Sequence, residues 1–491
     1  MGCNYYAYKH YVAQHNVYLY SMWMDFLDRL DELRRLDSLC DAKEGGLAVI
    51  YGRRRIGKSR LLVKWVNKHS GVYFVADQSA AALQRRYLAT CLGGVLTGID
   101  SVEYPTWRVL FDRIAQDSKS VGWRGPVVLD ELPYLVLVSP ELPSVLQQWL
   151  DGPAKKCGMA VAIAGSSQRM MQGLVLNHDA PLFGRAAELF EIGPLPPKFL
   201  DAPFSPWSPY HALELYAAWG GVPRYWELAQ RLGGNVLDQI TSLVLDPVGP
   251  LHREPDRLLL EELPPAVEMR PILDAIGGGA HRVSEIAGRV GRPATSLSRA
   301  LERLVSMGLV RREIPFAASP KNGRKSLYKM ADPFFRLWFR VVAPYRSQLA
   351  AGSAQTRRQL LEKHWPLLVA ATWEDTCRSA VCSQRPKSGL GRLGPWGPAA
   401  RWWNKNEPEW DIVAVSTKGD RLLLGEAKAH SRPMTKSAVE KEARALLAKP
   451  LPSISEIKLE VVRALFIPTI AKNAPRRHEG VVVVTGDDIL A

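Results

Sequence analysis

No apolar run in the sequence approaches the ~18 residues that would span a bilayer, which excludes a conventional membrane-spanning helix. Cysteine is sparse: six residues, Cys3, Cys40, Cys91, Cys157, Cys377 and Cys382, lie scattered through 491. None forms a CxxC pair, so a zinc ribbon is not expected, and a reduced cytoplasmic chain fits best. No repeat of 20–50 residues and no low-complexity tract appears. Acidic residues are the minority charge, 49 Asp and Glu against 64 Lys and Arg, a net charge of +15. That imbalance suggests a polyanionic partner, either nucleic acid or an acidic membrane surface. A 47% hydrophobic content argues against disorder, and the length implies two to four domains.

Residues 1–24, "MGCNYYAYKHYVAQHNVYLYSMWM", have no signal-peptide core. Tyr6 stands where a myristoylation signal wants Ser or Thr. The segment reads as a poorly packed extension, with Met22 or Met24 as alternative starts. Residues 26–36 place Leu27, Leu30, Leu33 and Leu36 at helical spacing. Short apolar runs at 46–52, 71–77, 125–131 and 159–167 alternate with helical patterns, the signature of a parallel, doubly covered α/β sheet.

The first of these runs leads into Gly52-Arg-Arg-Arg-Ile-Gly57-Lys58-Ser59, and a helical pattern follows. Strand, glycine loop and helix together make a Walker A motif. Gly52 and Gly57 let backbone amides face a phosphate. The helix contributes its positive N-terminal end. Lys58 reaches the β- and γ-phosphates of ATP, the Ser59 hydroxyl ligates Mg²⁺, and Arg60 completes the nucleotide-binding set. The three arginines are not part of the motif but add positive potential at its rim. Downstream, "PVVLDEL" delivers Asp130 and Glu131 to a strand's carboxyl end. Asp130 is expected to hold the Mg²⁺ shell and Glu131 to activate the attacking water. Ser166 or Ser167 ends the next strand in a position to sense the γ-phosphate, and spacing does not choose between them.

The order of "YGRRRIGKS", "VVLDEL", "IAGSSQRMM", "PLFGRAAELFEIGPL" and "GGVPRYW" resembles the prokaryotic, archaeal-type ATPase family, a branch of the AAA+-related P-loop ATPases, over roughly residues 24 to 240. The resemblance implies ATP hydrolysis and two further arginines near the nucleotide. Arg185 would be a finger, acting in cis or across the boundary of a homo-oligomer. Arg224 would be a sensor from a helical lid.

Residues 282–316 have the rhythm of a winged helix: a helix at 284–290, a turn at Gly291, and a second helix at 295–307. That second helix carries Leu297, Leu301, Leu304 and Val305 on one face. A strand and the basic hairpin "SPKNGRKSLYKM" follow. Arg292, Arg299, Arg303 and Arg324, with Lys321 and Lys325, are the candidate DNA phosphate contacts. Docking onto protein is the alternative. The aromatic stretch "ADPFFRLWFRVV" reads as core.

Near the end, Asp411 sits in the apolar run "EWDIVAV", and after a turn at 418–420 Glu426 and Lys428 share one face of the next strand. Paired antiparallel, the two strands gather two carboxylates and an ammonium, a set that binds a hard Mg²⁺ and stabilises phosphate charge. This resembles the PD-(D/E)xK restriction-endonuclease-like superfamily, and more narrowly the C-terminal domain of unknown function often fused to such ATPases. The proline that usually precedes the aspartate is missing. The resemblance adds Glu374 as a metal ligand, and Glu409 is a second acidic candidate.

The expected architecture is α/β throughout. Residues 1–24 are an extension, 25–200 a P-loop NTPase core with a parallel sheet, and 201–265 a helical lid. Residues 266–345 are a winged helix, and 346–491 an α/β restriction-endonuclease-like domain. ATP, Mg²⁺ and DNA are the expected ligands, with no membrane partner. Lys58, Glu131, Arg185, Asp411, Glu426 and Lys428 are the expected catalytic groups. The alternative is a nucleotide-dependent switch that binds protein or DNA without cutting.

Overall fold

A computed structural model describes residues 29–166, 168–262, 266–319, 323–385, 388–454 and 459–490. The N-terminal extension, Ser167 and Lys321 lie outside the described residues. The chain divides into two compact units: Met1–Leu195 with Val222–Glu227, and Pro196–Gly221 with Leu228–Ala491. No helix among the described residues is long and apolar enough to cross a membrane.

The first unit is built on β1 (Gly46–Tyr51), β2 (Val72–Val75), β3 (Val127–Asp130), β4 (Ala160–Gly165) and β5 (Ala186–Glu191), in the order β2-β3-β4-β1-β5. All neighbours are parallel, with Val49 beside Ile163 and Leu129 also beside Ile163. The central strands are apolar on both faces, as a sheet covered by helices on both sides requires. Leu47, Val49, Val161 and Ile163 enter a core with Trp107, Phe111 and Trp149. Ala48 and Ile50, on the opposite face of β1, are equally buried. β5 was not anticipated as a strand. It is an edge strand of mixed character: Phe190 is buried, Glu188 is half-buried against Arg35, and Leu189 and Glu191 are exposed.

Parallel strands all end on one side. The glycine loop after β1, the Asp130-Glu131 pair at the end of β3 and Ser166 after β4 therefore leave adjacent strands at the same sheet edge, where open α/β sheets bind ligands.

In the second unit, the helices Val283–Val290 and Ser298–Ser306 precede an antiparallel pair, β6 (Val310–Glu313) and β7 (Leu327–Met330). The expected single helix at 295–307 is a 3₁₀ turn, Ala294–Leu297, followed by an α-helix. The aromatic stretch is core: Phe334, Phe335, Trp338 and Phe339 are buried. A 27-residue helix, Ala354–Ala380, follows. The unit ends in a mixed six-stranded sheet: β8 (Ala400–Asn404), β9 (Glu407–Val415), β10 (Arg421–Ala427), β11 (Glu460–Ile467), β12 (Arg477–His478) and β13 (Val481–Thr485). Its order is β12-β13-β11-β10-β9-β8, with β8, β9 and β10 antiparallel and β10, β11 and β13 parallel. The long helix is fixed to this sheet through buried Trp373, whose indole donates to the Phe466 carbonyl at 3.1 Å.

Candidate functional site

In the first unit, Gly57 caps the Lys58–Lys68 helix at φ 102°, a conformation that suits glycine. A side chain at Gly52 would meet the Ile192 carbonyl oxygen 2.4 Å away. Lys58 is 6% exposed, and its ammonium folds back onto the loop, donating to the carbonyls of Gly52 at 2.7 Å and Arg53 at 3.1 Å. The Ser59 hydroxyl donates to Asp130 at 2.8 Å, and Tyr73 donates to the same carboxylate. A hydroxyl and a carboxylate in direct contact are the hard oxygen donors that fit a Mg²⁺ ion.

Glu131 stands at φ 54°, ψ 40°, in the left-handed region that non-glycine residues rarely adopt. Such strain concentrates at functional sites. Its carboxylate accepts from the Ser166 amide at 3.2 Å and the Ser166 hydroxyl at 3.0 Å. Burial and neighbouring Asp130 push its pKa upward, against the pull of Lys58 and Ser166. Arg54, from the middle of the loop, donates to the Ser166 hydroxyl at 3.2 Å and to Tyr134 at 2.9 Å. The arginine that looked peripheral in sequence thus reaches the serine at the end of β4.

Arg60 and Arg224 are joined by a residue that sequence reasoning missed. The buried Glu227 accepts from Arg60 at 3.1 Å and from Arg224 at 3.0 Å. Its only local signal was its place three residues after Arg224, on the same helix face. Arg185 is placed elsewhere. Its guanidinium forms a forked pair with Asp151 at 3.0 and 3.1 Å and donates to the carbonyls of Pro181 and Phe183.

In the second unit, β9 and β10 pair antiparallel with Ile412 beside Gly425, bringing Asp411 and Glu426 into each other's field. Asp411 accepts from the Ala427 amide at 3.1 Å. Lys428 contacts Glu426 at 3.3 Å. Burial and Asp411 push the carboxyls of both Glu426 and Glu374 upward. These carboxylates share an electrostatic field, yet among the described residues no group of three His, Cys, Asp or Glu side chains is gathered tightly enough to hold a metal. Asp411 and Glu426 remain a fitting pair of hard donors, since Mg²⁺ needs only one or two carboxylates besides substrate oxygens. Glu409 instead pairs with Arg401 at 3.1 Å.

Lys449 was not foreseen. It forms an ion pair with Glu426, donates to the Glu409 carbonyl, and lies over the Trp410 ring 4.5 Å from its centroid. Asp375, one residue beyond Glu374, was also missed. It receives Arg311, Arg336 and Arg378 together. Burial alone would raise its pKa, but the three guanidiniums outweigh it and hold the carboxyl well below the usual range.

Of the candidate DNA contacts, Arg292 and Arg299 are exposed and Arg303 is half-buried. Leu301 and Leu304 on the same helix are buried, so its polar face is turned outward. Arg324 lies in the turn Gly323–Lys325, and its side chain is outside the description.

Comparison with known proteins matches two parts of the chain. Residues 26–226 match a family model described as an ATPase domain predominantly from Archaea. Residues 338–444 match a family of archaeal and bacterial proteins of unknown function. The chain thus carries an archaeal-type P-loop ATPase domain followed by a domain of that second family. A relative from Methanocaldococcus jannaschii, itself described as uncharacterized, is 26% identical over 409 residues, 82% of this chain and 87% of the relative. Among solved structures, the Walker-type ATPase of Pyrococcus abyssi matches with a TM-score of 0.52 at 20% identity, covering 65% of this chain and 97% of that one. The ORC2 protein of Aeropyrum pernix, solved in ADPNP–ADP complexes, gives 0.44 at 15% identity over 72% of this chain and 96% of its own.

Proposed function

We propose that this chain hydrolyses ATP with its first unit and binds and cuts DNA with its second. The carrying observation is the meeting of Lys58, Ser59, Asp130 and Glu131 at one sheet edge, with Ser59 and Asp130 2.8 Å apart. In this reading residues 25–200 are the ATPase core, 201–265 a lid, 266–345 a winged helix and 346–491 a PD-(D/E)xK-like nuclease domain.

The loop amides and Lys58 hold the phosphates of ATP. Lys58 exchanges its two carbonyl partners for phosphate oxygens. Ser59 and Asp130 hold Mg²⁺, which neutralises phosphate charge when bound. Glu131 orients the attacking water and takes its proton, a role suited to a carboxylate made more basic by burial. Ser166 steers Glu131, and Arg54 passes the state of the loop to Ser166 through the existing hydrogen bonds. Arg224 senses nucleotide through Glu227 and Arg60. Arg185 supplies positive charge to the transition state after leaving Asp151, in cis or in a homo-oligomer.

In the second unit, Arg292, Arg299, Arg303 and Arg324 grip DNA phosphates. Asp411 and Glu426, with Glu374 beside them, would hold a divalent metal, which would supply Lewis acidity toward water and the phosphate. Lys428 positions that water. The deciding experiment incubates several DNA forms with Mg²⁺ or Mn²⁺, with and without ATP, and compares wild type with Glu426→Ala and Lys58→Ala. Metal-dependent cleavage lost only in the first variant, and ATP turnover lost only in the second, is the expected result. Equal ATP turnover in wild type and Lys58→Ala would overturn the engine assignment.

A second reading, a nucleotide-dependent switch that binds without cutting, is favoured by one observation. The Lys449 ammonium already occupies an oxygen of Glu426 that a metal would need. Retention on DNA that falls with salt, without cleavage under any metal, would select it.

A further inference from the structure

The second unit contains a cavity of about 270 Å³ between the β6–β7 hairpin and the long Ala354–Ala380 helix. Its size is near the lower end of small-molecule pockets, roughly 300 Å³, which suits one nucleotide and excludes a duplex. Four cations, Arg311, Lys329, Arg336 and Arg340, line it against two carboxylates, Glu374 and Asp375. Arg311 and Arg336 are engaged by Asp375, and Lys329 contacts Glu313 at 3.1 Å. Arg340 differs. It donates to the Gly278 carbonyl at 3.1 Å and, among the described residues, pairs with no carboxylate. The remaining wall is apolar and includes Ile276, Met330, Leu367 and Leu368.

We propose that this cavity binds a nucleotide carrying a 5′-phosphate monoester, either as a mononucleotide or as the terminal residue of a DNA strand. The dianion takes the Arg340 side of the cavity and the base packs on the apolar wall. Burial pushes the Lys329 ammonium down despite Glu313, with Arg401 adding to the effect, and an arriving phosphate favours its charged form. Glu374 belongs both to this lining and to the field of Asp411. A strand end held here therefore lies beside the cleavage site. That last step rests on the nuclease reading above, whereas nucleotide binding itself does not.

The test uses the full chain in a Lys58→Ala background, so that the glycine loop does not compete, and in EDTA, so that cleavage plays no part. Fluorescence anisotropy compares 5′-phosphorylated with 5′-hydroxyl single-stranded oligonucleotides, and calorimetry compares dAMP with deoxyadenosine. The phosphate should tighten binding at least tenfold. Arg340→Glu should erase the difference with an unchanged melting temperature, and Ala371→Trp, which fills the cavity, should erase it independently. If the phosphorylated strand binds more tightly than dAMP, the ligand is a DNA end; if dAMP binds as tightly, it is a mononucleotide. Equal binding with and without phosphate in both assays, or a preference that survives both variants, would overturn the proposal. Cleavage assays with Lys428→Ala test the nuclease reading separately, so the two can fail independently.

Discussion

The carboxylate of Glu131 accepts two hydrogen bonds from Ser166, one from its amide at 3.2 Å and one from its hydroxyl at 3.0 Å. Both favour the ionised carboxylate and counteract the upward push of burial and Asp130. Removing the hydroxyl in Ser166→Ala should move the acidic limb of the ATPase pH profile toward neutrality, while ATP affinity changes little. An unmoved profile would mean that Ser166 does not tune the base.

Glu131→Gln should retain ATP binding and lose about 10²- to 10⁴-fold in turnover, the usual contribution of a positioned base. The same variant makes a prediction about stability. Because the folded pKa is raised, the ionised group is disfavoured by folding. Its favourable share exists below the unfolded carboxylate value of about 4.3 and is lost as pH rises through the folded value. Glu131→Gln should therefore melt higher than wild type at neutral pH, with the gain vanishing in acid.

Glu227→Gln removes the shared partner of Arg60 and Arg224. Losing charged hydrogen bonds at a buried acceptor should cost about 1–3 kcal/mol of stability in urea titrations. ATP affinity measured by calorimetry should fall as well, since Arg224 is then no longer held. Full stability with unaltered nucleotide response would refute this coupling.

Asp375→Asn leaves Arg311, Arg336 and Arg378 without their common counter-charge. Breaking a buried ion cluster on one side typically costs about 3–5 kcal/mol. Its depressed pKa means that the stabilisation is present above the unfolded value of about 3.9 and is lost only as pH falls through the lower folded value. The gap between the melting curves of variant and wild type should therefore be constant near neutrality and close only in strong acid.

Lys428 and Lys449 both contact Glu426 and should behave oppositely. Lys428→Ala should abolish metal-dependent DNA cleavage. Lys449→Ala, by exposing the carboxylate, should lower the Mn²⁺ concentration needed for half-maximal cleavage. If both variants are equally inactive while folded, Lys449 belongs to the cleavage machinery rather than opposing metal binding.

The features legible in the sequence were those with local signatures. The glycine loop, the "LDE" strand end and the "EAK" strand each compress their chemistry into a few adjacent residues at a fixed period, and those residues meet as their spacing implied. Glu227, Tyr73, Arg54 and Asp375 were invisible for the opposite reason. Each meets at least one partner far along the chain, as when Tyr73 reaches Asp130, Arg60 reaches Glu227 or Arg311 reaches Asp375. No periodicity records such pairings. Lys449 was hidden likewise, since it follows a helix and meets Glu426 only through the packing of that helix on the sheet. β5 was missed because Glu188 and Glu191 interrupt its apolar residues, unlike the unbroken apolar runs of its buried neighbours.

The first glycine of the loop has a bearing on how genetics should be interpreted. With the Ile192 oxygen 2.4 Å from where a methyl group would sit, alanine at Gly52 collides with the backbone just past β5 whether or not any ligand is present. A dead Gly52→Ala mutant would thus report a damaged scaffold, and says nothing about phosphate recognition. Phenotypes meant to separate the two are better sought at Lys58, whose ammonium donates to the loop carbonyls of Gly52 and Arg53.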